Sequence, residues 1–130
     1  MDLQKHADHA ALVGRLFYSS LFLVYGYFKI MGFTGTTAYM ASKGLPMPPL
    51  AAALAVILEL GGGLLMLVGY QTRLVALVLG IYVVIASLIA HTNFADGNQM
   101  QHFFKNMSIV GGSLAFVAFG AGRYSIDGRK

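Results

Sequence analysis

The sequence contains no cysteine and has few charged side chains. The absence of cysteine excludes disulfide bonds, thiol nucleophiles, cysteine-ligated zinc and iron–sulfur clusters. Charged residues make up only 11% of the 130 residues, whereas ordinary soluble chains contain about 25%. So few charges cannot cover a water-exposed surface, and this excludes a soluble monomer, a disordered chain and a nucleic-acid-binding domain. Hydrophobic residues make up 57% of the chain, and this composition indicates a membrane protein.

Four long hydrophobic segments predict four membrane-spanning helices. A bilayer core of about 30 Å requires about 20 mostly apolar residues in each helix. No segment shows the alternation of polar and apolar residues that membrane β-strands require. The predicted spans are residues 10–29, 50–70, 73–91 and 103–121. We therefore expect an all-α fold, a transmembrane four-helix bundle that forms a single domain over residues 1–130.

The segment between the first two spans predicts a short helix at the membrane surface. Residues 36–43 provide two helical turns, Gly44 stands at the position of a C-terminal cap, and Pro46 prevents continuation. Two turns cover about 12 Å, which is well short of the bilayer core. We therefore expect an interfacial helix between helices 1 and 2 rather than a fifth span. The polar residues 123–130 are expected to form a solvated end.

The distribution of lysine and arginine predicts the orientation of the bundle. With four spans, one side holds both termini and carries six of these residues: Lys5, Arg15, Arg73, Arg123, Arg129 and Lys130. The other side carries three: Lys29, Lys43 and Lys105. Cytoplasmic segments carry the excess of basic residues in membrane proteins. The count therefore predicts that the N- and C-termini are cytoplasmic.

The ionisable residues of the spans lie on helix stripes that also carry small residues. In lipid, small and polar residues turn toward neighbouring helices, so these stripes are expected to face the bundle interior. The candidate binding residues found in this way include Arg15, Lys29, Glu59, His91 and Lys105. The three glycines at 61–63 are interpreted as packing residues.

Glu59 is the deepest of the charged residues. At 1.5 Å per residue it lies about 14 Å from the outer end of its span, close to the bilayer midplane. A charge at that depth costs about 2.5–3.5 kcal/mol on insertion scales, which makes Glu59 a functional candidate. We predict that Glu59 faces the bundle and pairs with a cation, for which Arg15, Lys29 and Lys105 are the alternatives. The competing interpretation is a structural ion-pair network with outer lysines that reach the interface.

The recognisable catalytic motifs are missing. No nucleophile–base pair, phosphate-binding loop or two-histidine helix motif occurs, so the motifs do not define an enzyme. His6 and His9 lie three residues apart before the first span, but no carboxylate or cysteine set completes a metal site there. No metal is therefore expected.

Five segments of the chain resemble the DoxX family of small four-helix membrane proteins. They read RLFYSSLFLVYGYFKIMGF, YMASKGLPMP, ELGGGLLMLVGYQTR, IAHTNFADGNQMQHFFKNMSIVGG and GAGRYSID. Their order and spacing extend the resemblance over nearly the full length, in particular to the bacterial inner-membrane branch. The resemblance implies a multi-pass protein of the bacterial inner membrane. The polar positions that match the family pattern are Arg15, Lys29, Glu59, Arg73, His91, Lys105 and Asn106.

The resemblance also implies a connection with redox chemistry. The DoxX family is named for small subunits found with thiosulfate:quinone oxidoreductase and terminal-oxidase systems, and other members are linked to oxidative, thiol or aromatic-quinone stress. The first hypothesis is accordingly a redox- or stress-associated membrane subunit with no cofactor other than a quinone. It would bind a quinone or a small anionic or aromatic compound at a polar site within the bundle: Glu59, Lys29, His91, Lys105, Asn106 and Arg15.

Two other functions remain open. The second hypothesis is a non-catalytic scaffold or assembly subunit of a membrane oxidoreductase complex, which the absence of cysteine, haem-ligating histidine pairs and nucleotide motifs favours. The third is a small transporter, with a path built between the protomers of an oligomer. In each case we expect the chain to lie in the lipid bilayer as a homo-oligomer and to bind no nucleic acid.

Overall fold

The computed structural model describes residues 3–129, and every regular element in that range is helical. The helices are α1 (Ala7–Met31), α2 (Phe33–Ser42), α3 (Pro48–Val56), α4 (Gly62–Val68), α5 (Thr72–Ala90) and α6 (Gly97–Phe119). A π-helical turn, Ile57–Gly61, joins α3 to α4, so that Pro48–Val68 is one continuous helix. Short 3-10 turns lie at Leu3–His6 and Asp127–Arg129. The prediction of an all-α bundle is confirmed.

Within residues 3–129, three helical segments are long and apolar enough to cross a membrane: Leu3–Met31, Pro48–Val68 and Thr72–Ala90. The fourth predicted span, 103–121, lies mostly in α6, which has 23 residues but is less apolar because it begins with polar turns. Large apolar side chains cover the outside of the bundle, and Phe17 and Phe119 are 75% and 83% exposed. Such a surface suits lipid and not water. The chain is therefore a transmembrane helical bundle.

Consecutive long helices alternate in direction. The connection from α4 to α5 spans only residues 69–71, and Gly69 and Gln71 both adopt left-handed backbone conformations there. This tight turn places α4 and α5 antiparallel, and the chain then returns from α5 to α6. We call the end that carries α2 and the α5–α6 connection the loop end. The opposite end carries the turns Leu3–His6 and Asp127–Arg129, and we call it the terminal end.

Small residues allow the helices to approach closely. A Cβ atom at Gly63 would lie 3.0 Å from the side chain of Leu23 and 3.3 Å from its backbone nitrogen. A Cβ atom at Gly62 would lie 2.8 Å from the Leu79 side chain, whereas at Gly61 it would meet open space. The interpretation of these glycines as packing residues is therefore confirmed for two of the three.

The short helix between the first two long helices is present. It begins three residues before the predicted start at 36, because the chain turns at Gly32 immediately after α1. It ends in two hydrogen bonds typical of a Schellman cap, from the Gly44 N–H to the Ala41 carbonyl (3.0 Å) and from the Leu45 N–H to the Met40 carbonyl (3.3 Å). Gly44 has a φ of +76°, as expected of the glycine in this cap. Its position at the membrane surface stays a prediction.

The C-terminal tail is largely exposed, as predicted, since five of the seven residues 123–129 are exposed; Lys130 lies outside the described residues. The tail is nevertheless bound to the bundle. The carboxylate of Asp127 accepts hydrogen bonds from the backbone N–H groups of Gln71 (2.9 Å) and Thr72 (2.8 Å), and the Ile126 N–H donates to the Val68 carbonyl (3.0 Å). No side chain next to the start of α5 caps that helix. The first N–H groups of a helix lack partners within it, so a distant aspartate supplies the acceptor. The tail is thereby fixed to the terminal end.

Candidate ligand-binding cavity

A cavity of about 510 Å³ opens between the helices toward the loop end. Its walls come from the second half of α1, from α2 and α3, from the second half of α5 and from α6. Most of the lining is apolar, and a small number of polar and charged side chains face the space. Small-molecule sites in proteins combine this size with this kind of lining. The cavity is therefore the candidate functional site.

Glu59 lies at the inner part of the cavity and is only 3% exposed. Its Oε1 atom accepts a hydrogen bond from Lys29 Nζ at 2.9 Å, and its Oε2 atom accepts one from the Tyr82 hydroxyl at 2.5 Å. The predictions that Glu59 faces the bundle and pairs with a cation are confirmed. Among the alternative cations, the structure selects Lys29.

The local backbone brings Glu59 into this position. Glu59 lies in the π-helical turn Ile57–Gly61, where the helix is locally wider than an α-helix. Such turns inside α-helices are frequent at functional sites. Lys29 stands in the last turn of α1, and its side chain keeps 30% of its surface exposed. The ion pair therefore joins α1 to the π-helical turn at the cavity wall.

Basic and aromatic side chains surround the outer part of the cavity. The His91 and His102 rings stack with centroids 5.0 Å apart, and Lys43 Nζ lies 5.6 Å from the centre of the Tyr39 ring. His91 follows the last residue of α5, and its Nδ1 atom is buried with no hydrogen-bond partner within residues 3–129. Burial lowers the pKa of His91 below its ordinary value, and His102, Lys43 and Lys105 lower it further. Two lysines and two histidines form this group, Lys43, Lys105, His91 and His102, which we call the basic mouth.

Asn106 belongs to the cavity wall between α5 and α6. Its side-chain Nδ2 atom donates to the Ser87 hydroxyl at 2.9 Å, and that hydroxyl donates to the Val83 carbonyl at 2.7 Å. Five predicted site residues thus line one cavity: Glu59, Lys29, His91, Lys105 and Asn106.

Arg15 does not join the other predicted site residues. It is 1% exposed, and its guanidinium donates to the carbonyls of Leu67 (3.2 Å) and Tyr124 (2.6 Å) at the terminal end. The fourteen residues from Arg15 to Lys29 correspond to about 21 Å along a helix, too far for Arg15 to reach the cavity. The alternative pairing of Glu59 with Arg15 is wrong, because the last carbonyls of α4 lack helical partners and take up this guanidinium instead.

Sequence reasoning missed Tyr82, Lys43 and His102 as cavity residues. Tyr82 had a usable signal, since a hydroxyl in the middle of an apolar span usually finds a hydrogen-bond partner. Lys43 had no signal in the sequence, because its position at the cavity depends on how α2 packs against the rest of the bundle. Within residues 3–129, no group of three or more metal-ligating side chains is placed to hold a metal ion.

Comparison with known proteins identifies the family. The DoxX family model matches residues 10–92. The chain is 39% identical to inner membrane protein YqjF of Escherichia coli (strain K12) over 127 residues, which cover 96% of this chain and 95% of that protein. It is also 39% identical to inner membrane protein YphA of the same organism over 123 residues, which cover 91% of this chain and 88% of that protein.

A more distant match is the ER-derived vesicles protein ERV29 of Saccharomyces cerevisiae (strain ATCC 204508 / S288c), 29% identical over 80 residues. These residues cover 58% of this chain and 26% of that protein. No solved structure matches the chain significantly. The family match covers more than half of the chain, and the two bacterial relatives align over nearly all of it. The chain belongs to the DoxX family.

Proposed function

We propose that this protein is a redox- or stress-associated subunit of the bacterial inner membrane that binds a quinone or a small anionic or aromatic compound in the cavity. The observation that carries the proposal is the hydrogen-bonded group Lys29–Glu59–Tyr82 at the inner part of an otherwise apolar cavity. Two relatives of nearly the same length are named inner membrane proteins, which supports the location.

The chemistry of this group suits a ligand that carries a carbonyl or hydroxyl on an aromatic ring. The Lys29 ammonium gives one N–H to Glu59 and has others, from which a ligand carbonyl oxygen can accept. The Tyr82 proton is donated to Glu59, so the Tyr82 oxygen and the remaining lone pairs of the Glu59 carboxylate can accept from a ligand hydroxyl. The apolar walls bury the ring. A desolvated ion pair is weak support for a fold compared with apolar side chains of the same volume, so its presence favours a binding role.

The competing function is a scaffold or assembly subunit in which the ion pair only holds helices together. The specific observation in its favour is that Lys29 and Glu59 join α1 to the π-helical turn between α3 and α4. A scaffold of this kind requires the ion pair for folding, but it does not require the cavity next to the pair. Direct ligand binding therefore separates the two functions.

The test is a titration of the purified protein in lipid nanodiscs with decylubiquinone and with menadione, measured by calorimetry. We expect saturable binding of at least one compound, and Glu59→Gln should weaken it by about tenfold, which corresponds to about 1.4 kcal/mol. Asp8→Asn is the matched control, because it makes the same change of carboxylate to amide at the terminal end. Absence of saturable binding of both compounds would contradict a quinone as the ligand.

A further inference from the structure

We propose that the ligand of the cavity is an anionic amphiphile, whose acidic group binds at the basic mouth while its apolar body occupies the cavity. This inference rests on the proposed function and narrows the ligand to one chemical class. It also gives a role to Lys43 and His102, which the hydrogen-bonded group around Glu59 does not use.

The charges that line the cavity do not balance. Three lysines line it, Lys29, Lys43 and Lys105, and within residues 3–129 Glu59 is the one carboxylate that does so. Lys29 compensates Glu59 at 2.9 Å, so the other two lysines face the cavity without an acidic partner there. Low-dielectric walls focus the field of such charges into the cleft. An uncharged ligand leaves this field uncompensated, whereas a monoanion reduces it.

The basic mouth presents its donors from three different elements. Lys43 follows the last residue of α2, His91 follows α5, and His102 and Lys105 stand in the first half of α6. The contact of Lys43 with the Tyr39 ring keeps the ammonium beside the cavity. Groups that converge from separate elements surround an acidic group better than a row of charges on one helix face does.

An independent observation also points to a polar ligand atom. The buried Nδ1 atom of His91 has no hydrogen-bond partner within residues 3–129, although the great majority of buried polar atoms in proteins have one. A carboxylate or phosphate oxygen at the mouth accepts from this nitrogen when it carries the proton. The stacked His102 ring limits how far His91 can turn away.

The remaining surface suits the apolar part of such a molecule. Phe22 and Ile109 lie deeper along the bundle than the basic mouth, and a volume of about 510 Å³ is that of a site for one small ligand. An amphiphile in a bilayer likewise keeps its charge at the surface and its apolar body inside. The acidic group belongs either to a free carboxylate with one chain or to an anionic lipid headgroup from the bilayer.

The experiment compares dodecanoate with dodecan-1-ol, which has the same chain and no charge. Binding to the protein in phosphatidylcholine nanodiscs is measured by calorimetry at pH 8 and low salt, where the carboxyl group is ionised. We expect dodecanoate to bind about fivefold more tightly, a ratio in the range of two partly exposed lysine–carboxylate contacts. Salt at 0.5 M should reduce the ratio, because exposed charges are screened.

Variants assign the preference to the basic mouth. The double change Lys43→Gln with Lys105→Gln should remove the preference for dodecanoate over dodecan-1-ol. Lys5→Gln, the same change at the exposed terminal end, should preserve the preference. If the double variant does not fold, each single variant should lose part of the preference. Nanodiscs that contain phosphatidylglycerol distinguish the sources: competition with dodecanoate indicates a lipid headgroup, and no competition indicates a free acid.

The outcomes separate this inference from the proposed function. If dodecanoate and dodecan-1-ol bind equally while decylubiquinone or menadione binds, the anionic class is wrong and the binding function stands. A preference for dodecanoate that survives in the double variant also overturns the inference. If none of the four compounds binds, both the inference and the proposed function are wrong.

Discussion

At the scale of single residues, the chain accommodates its two most buried charges in different ways. Glu59 is bound by side chains from two other helices, Lys29 on α1 and Tyr82 on α5. Arg15 is bound by backbone carbonyls at the terminal end. Carbonyls at a helix end need a donor in any case, so Arg15 has a sufficient structural reason. Glu59 satisfies no backbone group at a helix end, and this contrast makes it the better candidate for function.

The Lys29–Glu59 ion pair predicts that removing Lys29 and removing Glu59 lower the free energy of unfolding by different amounts. Lys29→Gln leaves a carboxylate that is 3% exposed without its cation and should lower the free energy of unfolding by about 3 kcal/mol. Glu59→Gln should cost only about 1 kcal/mol, because the Lys29 side chain is 30% exposed and can reach water. The double variant should be more stable than Lys29→Gln alone. Chemical unfolding in detergent micelles measures the cycle, and purely additive losses would show that the two residues are not coupled.

At the scale of elements, the sequence predicts those structural features that depend on residues close to one another in the sequence. The short helix α2 was predictable, because its stop at Gly44 and Pro46 is local chemistry. The π-helical turn at Ile57–Gly61 and the cap of α5 by Asp127 were not. That cap joins residues 55 positions apart, and no periodicity or propensity encodes such a contact. The starting residue of α2 differed by three positions, because the turn at Gly32 lets a new helix begin at once.

Helix packing predicts that alanine substitutions at Gly61 and Gly63 have different effects on stability. Gly63→Ala places a Cβ atom 3.3 Å from the backbone nitrogen of Leu23, which cannot give way as a flexible side chain can. We expect it to lower the free energy of unfolding by about 1–3 kcal/mol, as overpacking does. Gly61→Ala meets open space and should be neutral or should stabilise by up to about 1 kcal/mol. Thermal unfolding of both variants checks this, and equal destabilisation would refute the assigned packing.

At the scale of the whole molecule, the polar groups that stabilise the fold and the polar groups that are candidates for function lie at opposite ends of the bundle. The terminal end uses its polar groups to fix the chain to itself, through Arg15, Asp127 and the bond from the Arg123 N–H to Asp8. The loop end holds the cavity, with polar groups that face open space. Helical periodicity and depth were enough to find four lining residues, and the family resemblance added the fifth, Asn106. They could not exclude Arg15, because a stripe of residues along one helix does not reveal which other part of the chain each residue of the stripe contacts.

The orientation of these two ends in the membrane is a prediction from the six-to-three distribution of lysine and arginine. The chain has no cysteine, so single introduced thiols give an unambiguous reading. Leu3→Cys and Ile126→Cys, at exposed positions of the terminal end, should resist an impermeant thiol reagent in intact cells. Gly97→Cys, at an open position of the loop end, should react, and all three should react after lysis. Labelling of either terminal position in intact cells would show the opposite orientation, in which the cavity mouth faces the cytoplasm and the proposed anionic ligand would come from the cell interior.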